Sequence, residues 1–182
     1  DLVGPRLAHA LERGNVAQAT LALEIGVEDV TAILDKEIKD AAGAAHIPTL
    51  GLETSAFQDG LLAKLLDLRM LKASIETTAD LAELDRDSAK ELGEYCAGLD
   101  DAPGTDAETR AKLEHAGYTA AEIDAQDDLL VYSRNRAWMP KLEQLFAQGD
   151  VFVAVGADHL IGDKGVIALL RADGYATKRV TQ

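Results

Sequence analysis

The spacing of apolar residues along most of the chain predicts helices. From Val30 to Ala45 apolar positions recur three and four residues apart, and this stripe ends in a turn at residues 43–46. Residues 5–14 and 15–26 show shorter stretches of the same pattern. Residues 56–97 repeat it with abundant charge between the apolar positions, which is typical of amphipathic helices. We therefore expect most of the chain to be helical.

Two sequence signals mark where later helices begin. Thr105 with Glu108, and Thr119 with Glu122, have the spacing of a capping box, in which each side chain accepts a hydrogen bond from an otherwise unpaired backbone N–H. They predict a short helix followed by a long one that reaches about residue 148. Together with the preceding pattern, they define a large helical region over about residues 56–148.

Three short segments instead have the composition of strands. Pro48–Glu53 is short and begins with proline, Val151–Val155 is a continuous β-branched and apolar run, and Tyr175–Val180 alternates. The last two flank a helical pattern and predict a strand, helix, strand unit over residues 151–181. The expected fold is α+β or α/β, with a small mixed β-sheet and a large helical part. We expect one domain over residues 1–182 that is incomplete at its N terminus, because three strands are few for a sheet with a parallel crossover.

Composition excludes some partners. The chain has 182 residues, 47% of them apolar and 27% charged, as in an ordinary globular protein. Its formal net charge of -14 repels phosphate backbones, so nucleic acid is not an expected partner. No stretch of about 18 apolar residues is present, so no transmembrane segment is expected in this chain.

The first candidate site residue is Glu53, in the string Gly51-Leu-Glu-Thr. It would lie where a strand passes into a helix, a common location for functional groups in α/β proteins. There a carboxylate can ligate a metal, act as a general base, or cap the following helix. The pattern alone leaves these three interpretations open.

The second candidate is His159, in the string Gly156-Ala-Asp-His that directly follows the apolar run. Glycine permits a sharp turn, and the imidazole would then be presented at the opening of a helix. A structural histidine is the alternative, since a zinc-like site needs three protein ligands. The similar string Gly43-Ala-Ala-His46 is interpreted as a helix end.

The third candidate is Arg134 with its neighbour Asn135, inside the long predicted helix. Arg134 and Trp138 are four positions apart and share a helix face, so a stacked cation–aromatic pair is one interpretation. The other is a guanidinium directed at a substrate carboxylate or oxyanion, or one that holds a catalytic carboxylate.

Taken in order, these three strings resemble the TraB/GumN family, whose animal relatives are the Tiki proteins. The resemblance covers roughly residues 33–180 and is most specific over 151–175. Ile33 and Ser133 depart from the common pattern, where many members have a glycine and a glutamate. The family's early strand with a Gly-x-x-His string has no counterpart here, so the chain is expected to be a C-terminal portion.

The resemblance implies a metal-dependent hydrolase, with peptidase activity as one form. The fold would be similar to that of erythromycin-esterase, ChaN-like and Tiki proteins. By position, Glu53 and His159 would bind a divalent ion (Mn, Co or Zn) or act as acid and base. Arg134 and Asn135 would orient the substrate or the carboxylate. The implied substrate is a peptide or small molecule, and the implied location is periplasmic, secreted or envelope-associated.

Two other functions stay open at this point. One is a non-catalytic peptide-binding or regulatory module of the envelope. The other is a truncated, inactive fragment of the hydrolase, folded but without its first histidine strand. An exposed sheet edge left by missing strands would favour a homo-oligomer.

Overall fold

A computed structural model describes residues 34–77 and 107–180, together with the single helical positions 16, 20 and 93. The chain divides into two compact units, Asp1–Arg86 and Asp87–Gln182. The helix predicted over residues 5–14 and the capping box at Thr105 lie outside the described residues. Of the helix predicted over 15–26, only positions 16 and 20 are described, and both are helical. The prediction of one domain with an incomplete N terminus stays a prediction.

The first unit contains three helices in its described part. They are α1 (Leu34–Ala44), α2 (Ser55–Leu65) and α3 (Leu68–Thr77). The predicted stop of α1 is confirmed: His46 adopts a left-handed backbone conformation with φ of 56° just beyond it. Between α2 and α3 the chain breaks at Asp67, whose Oδ1 accepts hydrogen bonds from the backbone N–H groups of Arg69 and Met70 at 2.8 and 2.9 Å.

The second unit is a succession of helical segments. It comprises α4 (Ala107–His115), α5 (Ala120–Asp127), a π-helical segment (Asp128–Tyr132), α6 (Ser133–Phe146), a 3-10 turn (Ala157–His159) and α7 (Val166–Ala172). These segments enclose a core in which Ile123 and Leu142 are fully buried. Around them lie six further buried apolar residues: Leu113, Tyr118, Trp138, Met139, Val166 and Leu170.

Local signals account for the start of α5 and for the end of α7. The predicted capping box at Thr119 is confirmed, with the Thr119 hydroxyl accepting from the Glu122 backbone and the Glu122 carboxylate accepting from the Thr119 backbone. Gly174, with φ of 90°, ends α7, and the following Tyr175 packs edge-to-face against Phe146 with centroids 5.7 Å apart. This contact returns the chain to α6.

The predicted small mixed sheet is wrong. Among residues 34–77 and 107–180 the structure has no β-strand, and the predicted strands 48–53, 151–155 and 175–180 run as irregular chain. Over residues 151–180 the predicted strand, helix, strand unit is therefore reduced to its helix, α7. Phe152 is 80% exposed, whereas a buried strand would cover it. β-Propensity measures how well a residue packs beside a neighbouring strand. An extended segment that has no neighbouring strand forms no ladder of inter-strand hydrogen bonds.

None of the helices in the described parts of the chain has the length and hydropathy needed to cross a lipid bilayer. This agrees with the prediction of no transmembrane segment in those residues.

Candidate active site

The helix that carries Arg134 and Asn135 begins after an irregular turn. From Asp128 to Tyr132 the backbone is π-helical, and the Ser133 N–H donates to the Asp128 carbonyl five residues earlier. The extra residue per turn shifts the faces of α6 relative to those of α5. Asn135, in the first turn of α6, lies fully buried in the second unit.

Asn135 and His159 are joined by a hydrogen bond across 24 residues of sequence. The distance from Asn135 Oδ1 to His159 Nδ1 is 2.6 Å. Asn135 Nδ2 lies 3.2 Å from the His159 carbonyl oxygen and 3.0 Å from the Lys164 carbonyl oxygen, and donates to both. One amide side chain thus holds both the imidazole and the backbone of the loop that presents it.

Trp138 contacts both the imidazole of His159 and the guanidinium of Arg134. Its ring centroid is 4.5 Å from that of His159, with the planes tilted by 43°. The Arg134 guanidinium carbon is 5.1 Å from the Trp138 ring centroid, and Arg134 also donates to the Leu130 carbonyl at 2.7 Å. The predicted stacking of Arg134 on Trp138 is confirmed. His159 retains 8% exposure, so its burial is not complete.

Near this group, Tyr132 has a lysine over its ring and lies within the electrostatic influence of several carboxylates. The Lys164 ammonium is 4.8 Å from the Tyr132 ring centroid. Partial burial raises the pKa of the Tyr132 phenol, and nearby negative charges raise it further. The carboxylates responsible are those of Asp127, Asp163, Asp158 and Asp128. The neutral phenol is therefore the favoured form.

Glu53 belongs to the first unit and is described there by itself. It lies in the bend just before Thr54, and it is Thr54 that forms the N-cap of α2, its hydroxyl accepting from the Phe57 N–H at 3.2 Å. Gly51 is required by the bend, since a Cβ atom there would lie 2.7 Å from the Glu53 carbonyl oxygen. The roles predicted for Glu53 stay predictions.

The described residues do not group enough donors for a metal site. A zinc-like site takes at least three protein ligands. Within residues 34–77 and 107–180 no three His, Cys, Asp or Glu side chains come together in a way that could hold an ion. Among the predicted metal ligands, the second unit contributes the single imidazole of His159.

Comparison with known proteins gives the family. The model of the TraB/PrgY/gumN family matches residues 10–179, which is nearly the whole chain and includes all four candidate residues. The chain belongs to the TraB/PrgY/gumN family. Neither the curated proteins nor the solved structures gave a significant match. In this family member the arginine–asparagine string and the glycine–histidine string meet at two buried hydrogen bonds between Asn135 and His159.

Sequence reasoning missed two parts of this arrangement. The sequence predicts no role for Lys164 or for Tyr132, although Tyr132 opens the string that contains Arg134 and Lys164 lies shortly after His159. The link from Asn135 to the Lys164 carbonyl carries no signal in side-chain pattern, because any residue at position 164 supplies that oxygen.

Proposed function

We propose that this TraB/PrgY/gumN protein is a metal-dependent hydrolase, with peptides as the first substrates to test and His159 as its acid–base or metal-ligating group. The observation that carries the proposal is the 2.6 Å contact between His159 Nδ1 and the buried amide of Asn135. Histidines that transfer protons or ligate metals are held through one ring nitrogen so that the other one acts.

The chemistry follows from that geometry. In hydrolysis a water molecule must lose a proton as it attacks a carbonyl carbon, and an imidazole serves near neutral pH. The His159 ring would accept this proton at Nε2 and return it to the leaving group. Asn135 keeps the ring oriented during both transfers, and Trp138, 4.5 Å away, limits its tilting.

Arg134 has a supporting part in this scheme. Its guanidinium packs on Trp138 and donates to the Leu130 carbonyl. Both contacts favour the stacking interpretation. Contact of Arg134 with a substrate carboxylate or oxyanion remains a separate hypothesis, and Arg134→Lys tests it: a lysine keeps the charge and loses the planar fork.

Metal dependence is a separate part of the proposal. A divalent ion in this family would activate water and polarise the scissile carbonyl. His159 is one ligand where three are needed, so the described residues do not supply a complete ligand set for the ion. A contribution from Glu53 is a separate prediction and is tested with its own variant.

The test combines binding and cleavage. Mn²⁺, Co²⁺ and Zn²⁺ are titrated by calorimetry into metal-free protein, and a peptide library is screened for cleavage with each ion. His159→Ala and Glu53→Ala are measured beside His115→Ala, a matched control because His115 is exposed. Cleavage that is lost in His159→Ala and kept in His115→Ala supports the proposal. Peptide binding without cleavage under every condition would overturn it in favour of a non-catalytic binding module.

A further inference from the structure

The hydrogen bonds of the Asn135 amide determine which way round it lies. Its nitrogen faces two backbone carbonyl oxygens, those of His159 at 3.2 Å and of Lys164 at 3.0 Å. Carbonyl oxygens only accept hydrogen bonds, so an amide nitrogen must be the atom that faces them. Turning the amide over would bring its oxygen against both carbonyls and lose two hydrogen bonds. The Asn135 oxygen therefore faces His159.

This orientation in turn determines where the imidazole carries its hydrogen. Asn135 Oδ1 has no hydrogen to give, so the 2.6 Å contact requires that His159 Nδ1 donates. In the neutral ring only one nitrogen is protonated, and Nε2 is then the nitrogen with the lone pair. We infer that Asn135 is a positioning residue that fixes the Nδ1–H tautomer of His159 and so makes Nε2 its basic, ligating atom.

Two further contacts make this arrangement specific. The Asn135 nitrogen binds the backbone of His159 itself, so the amide holds the ring and the main chain of one residue together. Trp138 packs on the imidazole and opposes a ring flip that would exchange the two nitrogens. Asn135 and Trp138 lie three positions apart on α6 and reach His159 together. Two side chains of the same helix, α6, therefore hold the ring whose tautomer is at issue.

The tautomer can be read directly, without any activity. In protein labelled with ¹⁵N, long-range ¹H–¹⁵N correlation spectra distinguish a protonated ring nitrogen from one with a lone pair. At a pH where the ring is neutral, we expect Nδ1 of His159 to be protonated and Nε2 to be unprotonated. Loss of the resonance in His159→Gln assigns it, and the exposed His115 provides an internal reference. A protonated Nε2 in the wild-type protein would overturn the inference.

Two variants of Asn135 distinguish a hydrogen bond that holds the His159 ring from simple packing against it. Asn135→Asp keeps an oxygen acceptor opposite Nδ1 and Asn135→Leu removes it, while both variants lose the N–H donors to the His159 and Lys164 carbonyls. We expect the Nδ1–H tautomer to persist in the aspartate variant and to be lost in the leucine variant, with Trp138 fluorescence reporting that each is folded. If the folded leucine variant kept the Nδ1–H tautomer as fully as the aspartate variant, Asn135 would not set the position of the proton.

The role of this tautomer in catalysis rests on the proposed function, and the two can fail separately. Loss of a residue that orients a catalytic or ligating histidine typically costs about 10–100-fold in activity or metal affinity. We expect a loss of that size in Asn135→Leu, mainly in kcat, with partial rescue in Asn135→Asp. The Nδ1–H tautomer without any hydrolysis would refute the proposed function and support the positioning of His159. Hydrolysis unchanged in the leucine variant would overturn the positioning role.

Discussion

Truncation of Asn135 is the most informative test of how the second unit is held together. The side chain is fully buried and forms three hydrogen bonds, at 2.6, 3.0 and 3.2 Å, to the imidazole and to two backbone carbonyls. Asn135→Ala removes all three without adding bulk. It leaves one ring N–H and two carbonyl oxygens to find other partners.

The expected loss follows from these three bonds. A hydrogen bond inside a protein contributes about 1 kcal/mol net, and a buried group left without a partner costs about 1–3 kcal/mol. Three bonds at about 1 kcal/mol each give about 3 kcal/mol. Water that enters the space vacated by the amide would reduce the loss, and unmet carbonyls would increase it. We therefore expect Asn135→Ala to lower the free energy of unfolding by about 2–4 kcal/mol.

The chain provides its own probe for this measurement. Trp138 is the only tryptophan, and it lies in the second unit beside His159, so fluorescence-monitored urea unfolding reports on that unit. Gln144→Ala is the matched control, because it removes an exposed amide from the same helix, and we expect a change within about 0.5 kcal/mol. If both variants unfold at the same urea concentration with the same slope, the buried amide contributes no stability and the reasoning is wrong.

Three other predictions concern single positions. Gly165→Ala should destabilise the folded protein by more than about 2 kcal/mol, because the added Cβ would lie 2.6 Å from the Leu160 carbonyl oxygen. Gly60→Ala is the control: its Cβ meets no atom within 4 Å, so this variant should be neutral or stabilising. Thermal unfolding of the two variants compares them. Thr119→Ala should cost about 1 kcal/mol through loss of the capping box, and an unchanged unfolding midpoint would contradict this. Tyr132 should ionise above the ordinary phenol pKa of about 10. Since Tyr132 then keeps its proton to a higher pH in the folded state than in the unfolded state, the protonated phenol favours folding. This contribution to stability is complete below pH about 10 and is lost as the pH rises through the pKa of the folded state. Alkaline absorbance titration against Tyr132→Phe checks the direction of this pKa shift.

Local signals in the sequence predicted helices well and strands badly. The helix that ends at His115 and the capping box at Thr119 were correct, because a cap depends on atoms three residues apart. The long helix predicted over 120–148 is helical throughout residues 120–146, but the π-helical segment at Asp128–Tyr132 was not foreseen. A π-turn has no reliable sequence signature, since it is selected by the packing on either side of it.

The amino-acid sequence by itself determined the helical periodicity, the capped helix starts, the acidic charge and the family strings that contain Glu53, Arg134 and His159. These properties depend on neighbours within about one helical turn, or on residue identity alone. Only the tertiary structure decided that the apolar run at 151–155 forms no strand and that Asn135 binds His159 and Lys164. Both outcomes depend on which segments meet in space. Spacing along a chain does not encode a contact between residues 24 or 29 positions apart.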